Sequence, residues 1–166
     1  MTFYIDDECG IDLTIDYEKS LAHICKVIFD IEKCPYDAEI SLLLTNNEGI
    51  RRYNNEFRNI DKETDVLSFP AISQLAPINF NIEENGLSKI ENFNLDTDEL
   101  ILGDIIISNE KIIEQAEAYG NTVEYEFNFM LIHSLLHLFG YDHIVEEDRI
   151  VMEAKQKEVL KLVNIA

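Results

Sequence analysis

The chain has 166 residues, 33 Asp and Glu against 13 Lys and Arg, and a formal net charge of -20. A content of 46% hydrophobic and 10% aromatic residues excludes an intrinsically disordered chain, and the length suits one domain around one core. No apolar run reaches the roughly 18–20 residues of a membrane span, and the opening MTFYIDDECG offers neither a basic nor an apolar leader segment, so a cytoplasmic protein without a membrane partner is expected.

Cys9, Cys25 and Cys34 form neither a CxxC pair nor an even set, and they read as reduced thiols. The acidity argues against a protein held to nucleic acid by bulk charge. One window departs from it. Within 51–62, Arg51, Arg52, Arg58 and Lys62 face only Glu56 and Asp61, and the window is either a solvated helix face or a phosphate-contacting one.

In chain order, the alternation of IDLTID predicts a strand over 11–16, followed by a helix from Tyr17 carrying Leu21, Ile24, Cys25, Ile28 and Phe29, with Pro35 as its stop. AEISLLLTN predicts a strand over 38–46 whose Asn46 and Asn47 cap a helix over 48–58. DVLSFPA, 65–71, predicts a short strand and LILGDIIISN, 100–109, a central one. Between them, residues 73–98 are rich in Asn and acids with scattered hydrophobes, a surface insertion within one domain that suits a hairpin. A helix from Glu110 to about Tyr119 ends at Gly120 and Asn121, and Asn121 with Glu124 then predicts a capping pair for a helix through Leu138. Gly140 is the expected left-handed stop, and 145–165 predicts an amphipathic last helix. The sum is an α+β domain with a mixed sheet of about four strands and about five helices.

Three of the four histidines fall within His133-Ser134-Leu135-Leu136-His137-Leu138-Phe139-Gly140-Tyr141-Asp142-His143. Positions i and i+4 share a helix face, so His133 and His137 can aim at one ion, and the glycine lets the chain return His143 to the same point. Three imidazoles with an open fourth position suit a catalytic zinc ion, or another divalent metal, rather than a closed structural site. His23 stands alone and reads as a core or surface residue.

The spacing HxxxHxxGxxH is that of metzincin proteases, whose second residue is the Glu base, but that position here is Ser134. Losing that Glu removes a central part of peptidase chemistry. Phosphodiester cleavage instead needs an offset for phosphoryl charge, which a guanidinium supplies with its bidentate fork. Arg58 is the candidate for that catalytic role. Arg51 and Arg52 are outer RNA contacts or simply solvated residues.

HSLLHLFGYDH (133–143) closely resembles the HGxLHLxGYDH signature of the YbeY family, bacterial single-strand-specific endoribonucleases of ribosomal RNA maturation and ribosome quality control. YNNEFRNIDKETDVLSFP (53–70) resembles the family's LNxxYRxxDxPTDVLSFP segment, and LGDIIIS (102–108) its LGDIvIs strand. With Met152 and Glu153, the similarity runs in order from about residue 40 to 160. It implies a zincin-like α+β fold, one metal ion, in the first instance zinc, on His133, His137 and His143, a functional Arg58, single-stranded ribosomal RNA as substrate, and cytoplasmic work beside the ribosome. Ser134 replaces the usual Gly, which leaves the ligands intact. Glu63 replaces the usual Pro and adds negative charge near the RNA path, and the acidic 71–100 segment is longer than usual. Asp65, Ser68, Asp104 and Asp142 fall in matching blocks as auxiliary residues. Asp65 and Ser68 can pin a strand edge, Asp104 can hold a neighbouring backbone or Arg58, and Asp142 can orient an imidazole. Two rivals keep the same residues: a metalloprotease-like hydrolase, and a non-catalytic ribosome-assembly factor whose metal ties helix to loop. The charge further implies a partner, such as a ribosomal protein, that brings RNA to the site.

Overall fold

The computed structural model describes residues 1–164, in which four strands and six helices make one mixed sheet with helices on its faces. Strands β1 (Thr2–Asp7), β2 (Ala38–Thr45), β3 (Val66–Pro70) and β4 (Leu100–Ser108) lie in the order β1-β2-β4-β3. β1, β2 and β4 are mutually parallel neighbours, and β3 closes the edge antiparallel to β4. This is the expected α+β architecture.

Parallel neighbours cannot be joined by a tight turn, so α1 (Tyr17–Glu32) carries the chain from β1 to β2. Its side-chain spacing puts Leu21, Ile24, Cys25, Ile28 and Phe29 in the core, each large apolar side chain contributing about 1.5–3 kcal/mol on full burial. Asp16 caps it by accepting from Lys19 N at 3.0 Å, and it ends at left-handed Lys33, before Pro35. The strand expected over 11–16 is absent. Asp12 accepts from Thr14 N at 2.7 Å, Thr14 takes φ 59°, and Asp16 is committed to its cap, so local side-chain bonds hold a loop. Ile11 and Ile15 of that loop still pack on the core, which is why the segment alternates. The strand lies at Thr2–Asp7, an edge strand with no fully buried residue and therefore little pattern to read.

β2 is the expected strand, and its alternation sends Ala38, Ile40, Leu42 and Leu44 into the main core and Leu43 to the opposite face. β4 is buried on both sides, with Ile105 and Ile107 in the main core and Ile106 beneath α2 (Asn47–Arg58), which Asn46 caps. Gly103 in β4 has φ 141°, and a Cβ there would come within 2.3 Å of Phe69 O and 3.0 Å of Leu138 Cδ2. Glycine at this point lets β3 and α5 (Val123–Leu138) close on the sheet from two sides.

α4 (Asn109–Tyr119) is capped by Ser108 and stopped by Gly120. The cap of α5 is Thr122, one residue later than expected: its Oγ1 accepts from Tyr125 N at 3.1 Å, while Asn121 Nδ2 donates to Glu126 Oε1 at 2.6 Å. α6 (Glu146–Val163) is the expected last helix and buries Val159 and Val163, but its inward face runs through Met152 and Gln156 while Ile150, Val151 and Ala154 of the expected apolar set are exposed; Ile165 of the predicted range lies outside the described residues. The extra helix is α3 (Lys89–Asn92), a single turn within the 73–98 segment. Among the described residues that segment has no hairpin, only an isolated bridge between Phe93 and Leu100. Nor does it stand clear of the body: Ile78 and Phe93 are buried, Tyr36 meets the rings of Phe80 and Phe93, and Ile78 N donates to Phe139 O at 3.0 Å.

Candidate metal centre

α5 is apolar on nearly every side because it is wedged between the sheet and its neighbouring helices, and it turns His133 and His137 toward one half-buried groove. Its C-terminus is a Schellman turn: Gly140 N donates to His137 O at 2.9 Å and Tyr141 N to Leu136 O at 3.1 Å. Gly140 has φ 95°, and a Cβ there would approach Ala76 O to 2.7 Å. Both its backbone angle and the close passage of the 73–98 segment therefore demand glycine.

The reversal brings His143 back to the helix, and one ligand atom from each of His133, His137 and His143 lies within 4.8 Å of the others. His133 Nε2 and His137 Nε2 are 3.1 Å apart. Two nitrogens bound at about 2.0–2.1 Å on tetrahedral positions stand roughly 3.4 Å apart, so the pair is spaced to share an ion. The other ring nitrogens are already engaged. His137 Nδ1 donates to Tyr141 O at 2.8 Å and His133 Nδ1 to Gln156 Oε1 at 3.4 Å, which directs the Nε2 lone pairs inward. Burial pushes the His137 imidazolium down to about 4, with His133 adding to the effect, and burial also lowers His133. Both imidazoles are therefore neutral at pH 7, the form that can bind a metal ion. The donor set fits a divalent ion with an open coordination position.

The groove of about 410 Å³ in front of these histidines is also lined by Arg58, Thr64, Asp65 and Ser68. Arg58 is the last residue of α2, exposed, and without an acidic partner among the described residues. The chain matches the family described as Endoribonuclease YbeY over residues 5–164. The chain belongs to the YbeY family. Endoribonuclease YbeY of Lachnospira eligens is 45% identical over 167 residues, covering 99% of both chains, and that of Agathobacter rectalis is 44% identical over the same span with the same coverage. The solution structure of TM1509 from Thermotoga maritima matches with a TM-score of 0.58 at 25% identity, covering 98% of this chain and 89% of that one.

The remaining predicted residues divide by sheet face. Asp65 and Ser68 join the groove, but both oxygens of Asp65 are committed: Oδ1 accepts from Val66 N at 2.8 Å and Oδ2 from Gln115 Nε2 at 3.1 Å. Asp142 lies beside the histidines and accepts from His143 N at 2.7 Å, so it shapes the turn and does not touch an imidazole nitrogen. Asp104 is a correction to the expectation. Strand alternation places it with Ile106 on the α2 face, in a groove with Tyr4, Tyr53, Phe57 and Phe69, away from the histidines. Arg51 is held by Asp61 through two bonds of 2.7 and 3.1 Å, and Arg52 lies 3.7 Å from Glu8 and over the Tyr53 ring. Glu63 does not add free charge, because Lys111 Nζ donates to it at 2.9 Å. Ser134 is fully buried with an unpartnered Oγ. His23 is a surface residue whose Nε2 lies 3.4 Å from Val163 O.

Two participants carry no sequence signal. Tyr141 acts through its backbone carbonyl, which any residue would supply. Gln156 lies 23 residues from His133 on a separate helix, and only the four-residue step from buried Met152 hints that it faces inward.

Proposed function

We propose that this member of the YbeY family is a zinc-dependent endoribonuclease that cuts single-stranded ribosomal RNA in maturation and quality control of the ribosome. The observation that carries the reading is the shared groove: Arg58, without an acidic partner among the described residues, lines it together with three convergent histidines. The Endoribonuclease YbeY proteins of Lachnospira eligens and Agathobacter rectalis, alike over 99% of their length, support the same activity.

His133, His137 and His143 would hold the ion, which when bound acidifies a water toward a pKa of about 7 or polarises a phosphoryl oxygen. Arg58 donates its N–H groups to the phosphoryl oxygens, offsetting charge that grows as the attacking oxygen approaches phosphorus. The Tyr141 carbonyl and Gln156 Oε1 keep the Nδ1 protons in place, so the ligands present the same nitrogen through the reaction. A peptidase reading finds less support. Ser134 occupies the position of the general base and is buried, and the nearby Asp65 and Asp142 are engaged in backbone bonds.

With a net charge of -20, naked RNA is bound weakly, and a basic ribosomal partner in the cytoplasm delivers the substrate. Submicromolar affinity for isolated RNA at physiological salt would contradict that part. The activity is tested by incubating a labelled single-stranded ribosomal RNA fragment with zinc-loaded protein, then with protein stripped by a chelator and with stripped protein resupplied with zinc. Internal cuts that vanish and return support the reading. A stripped protein that unfolds, with no turnover in the loaded form, would favour a metal-stapled assembly factor.

A further inference from the structure

A second groove of about 480 Å³ opens on the other side of His133, walled by Val66, Phe129, Met130, Met152 and Leu160 and floored by Gln156. Its volume falls in the range of roughly 300–1000 Å³ typical of small-ligand pockets. Gln156 is only 6% exposed, and its Nε2 has no hydrogen-bond partner among the described residues. The orientation of that amide is set by its neighbour, since Oε1 takes the Nδ1 proton of His133 and leaves Nε2 as a donor with nothing to receive it. Native proteins seldom leave a buried donor unmet unless something else supplies the acceptor.

From this geometry we infer that the groove is a nucleobase pocket for the nucleotide next to the scissile phosphate, and that Gln156 Nε2 selects a base bearing a ring carbonyl. The inference rests on the endoribonuclease reading. Phe129 and the thioethers of Met130 and Met152 form an apolar wall against which a flat π-face packs, and the unbranched methionines can yield to admit it. His133 borders both grooves, so a base held here leaves its own phosphate between the histidines and Arg58. Lys157 at the rim is exposed and has no acidic partner among the described residues, which suits it to the next phosphate of the strand. Uracil, cytosine and guanine each carry a carbonyl that projects from the ring and can accept from Nε2, whereas adenine offers only ring nitrogens set back from that edge and an amino group that repels the donor. A duplex cannot enter, because its bases are stacked and paired.

The test uses oligoribonucleotides that differ only in the bases flanking the cleaved bond. Metal-loaded wild type is expected to cut uracil, cytosine and guanine contexts about tenfold or more faster than the adenine context in kcat/KM, the value of one hydrogen bond. Gln156→Glu keeps the acceptor for His133 and removes the donor, so its metal content stays at the wild-type level while the uracil-to-adenine ratio falls at least fivefold. Cleavage of all four contexts at one rate, or a preference that survives in Gln156→Glu, would overturn the pocket and leave the nuclease reading standing. A second readout is independent of turnover: the Gln156 side-chain amide resonance of ¹⁵N-labelled protein titrated with 2′-O-methyl hexauridylate or hexaadenylate. A shift with the first alone supports the pocket even if the protein cuts nothing, an outcome that would count against the nuclease reading instead. No shift with either, or equal shifts with both, would overturn it.

Discussion

The histidine cradle and the arginine-bearing end of α2 face one groove and are built in opposite ways. The cradle is fixed before any ligand arrives: His137 is tied to the Tyr141 carbonyl, His133 to Gln156, and a left-handed Gly140 passes against the backbone of Ala76. Arg58 is exposed and bonded to nothing among the described residues, although Arg51 and Arg52 on the same helix are engaged with Asp61 and Glu8. A metal site gains from rigidity, since its ligands must reach one point with one nitrogen each. A phosphate clamp gains from an unspent charge. The contrast therefore separates the three arginines of the 51–62 window into one whose charge is unspent and two engaged with the protein's own acids.

The largest effect should come from removing a ligand. His137→Ala loses metal in atomic absorption and loses roughly a thousandfold or more in RNA cleavage, because two imidazoles no longer enclose the ion. Retention of stoichiometric metal would break the assignment of the cradle. Next comes its geometry. Gly140→Ala forces a methyl into the Ala76 carbonyl at a positive φ, costing about 2–4 kcal/mol, read as a drop in Tm of roughly 5–15 °C with weakened metal binding. An unchanged Tm would mean that the 73–98 segment gives way freely there. The smallest effects belong to the engaged arginines. Arg51→Ala and Arg52→Ala should change cleavage by less than about threefold and leave the thermal unfolding curve where the wild type has it, as expected for exposed ion pairs screened by solvent. A tenfold loss of cleavage in either would enlarge the clamp beyond Arg58.

The legible parts of the molecule were those governed by local chemistry. The HxxxHxxG spacing specifies its own helix, stop and return, so the histidine cluster follows from eleven residues, and the buried strands β2 and β4 announce themselves by composition. Edge strand β1 does not, because its inward Phe3 and Ile5 are only half-buried and two residues make too short a pattern, whereas the loop over 11–16 mimics a strand by packing Ile11 and Ile15 on the core. Asp104 lies away from the histidines for a related reason. Its motif says that it belongs to the family strand, but only strand alternation in the folded sheet says which face it takes. Gln156 was invisible because its contact spans 23 residues between two helices whose packing no motif encodes.

The most direct measurement compares Arg58→Ala with wild type in metal content and in cleavage of a single-stranded ribosomal RNA fragment. The account predicts full metal occupancy with cleavage reduced about 10²–10³-fold, the loss of one charged donor to the developing phosphorane, with partial recovery in Arg58→Lys. Cleavage by Arg58→Ala at the wild-type rate would contradict the clamp, and loss of its metal would contradict the separation of cradle from clamp.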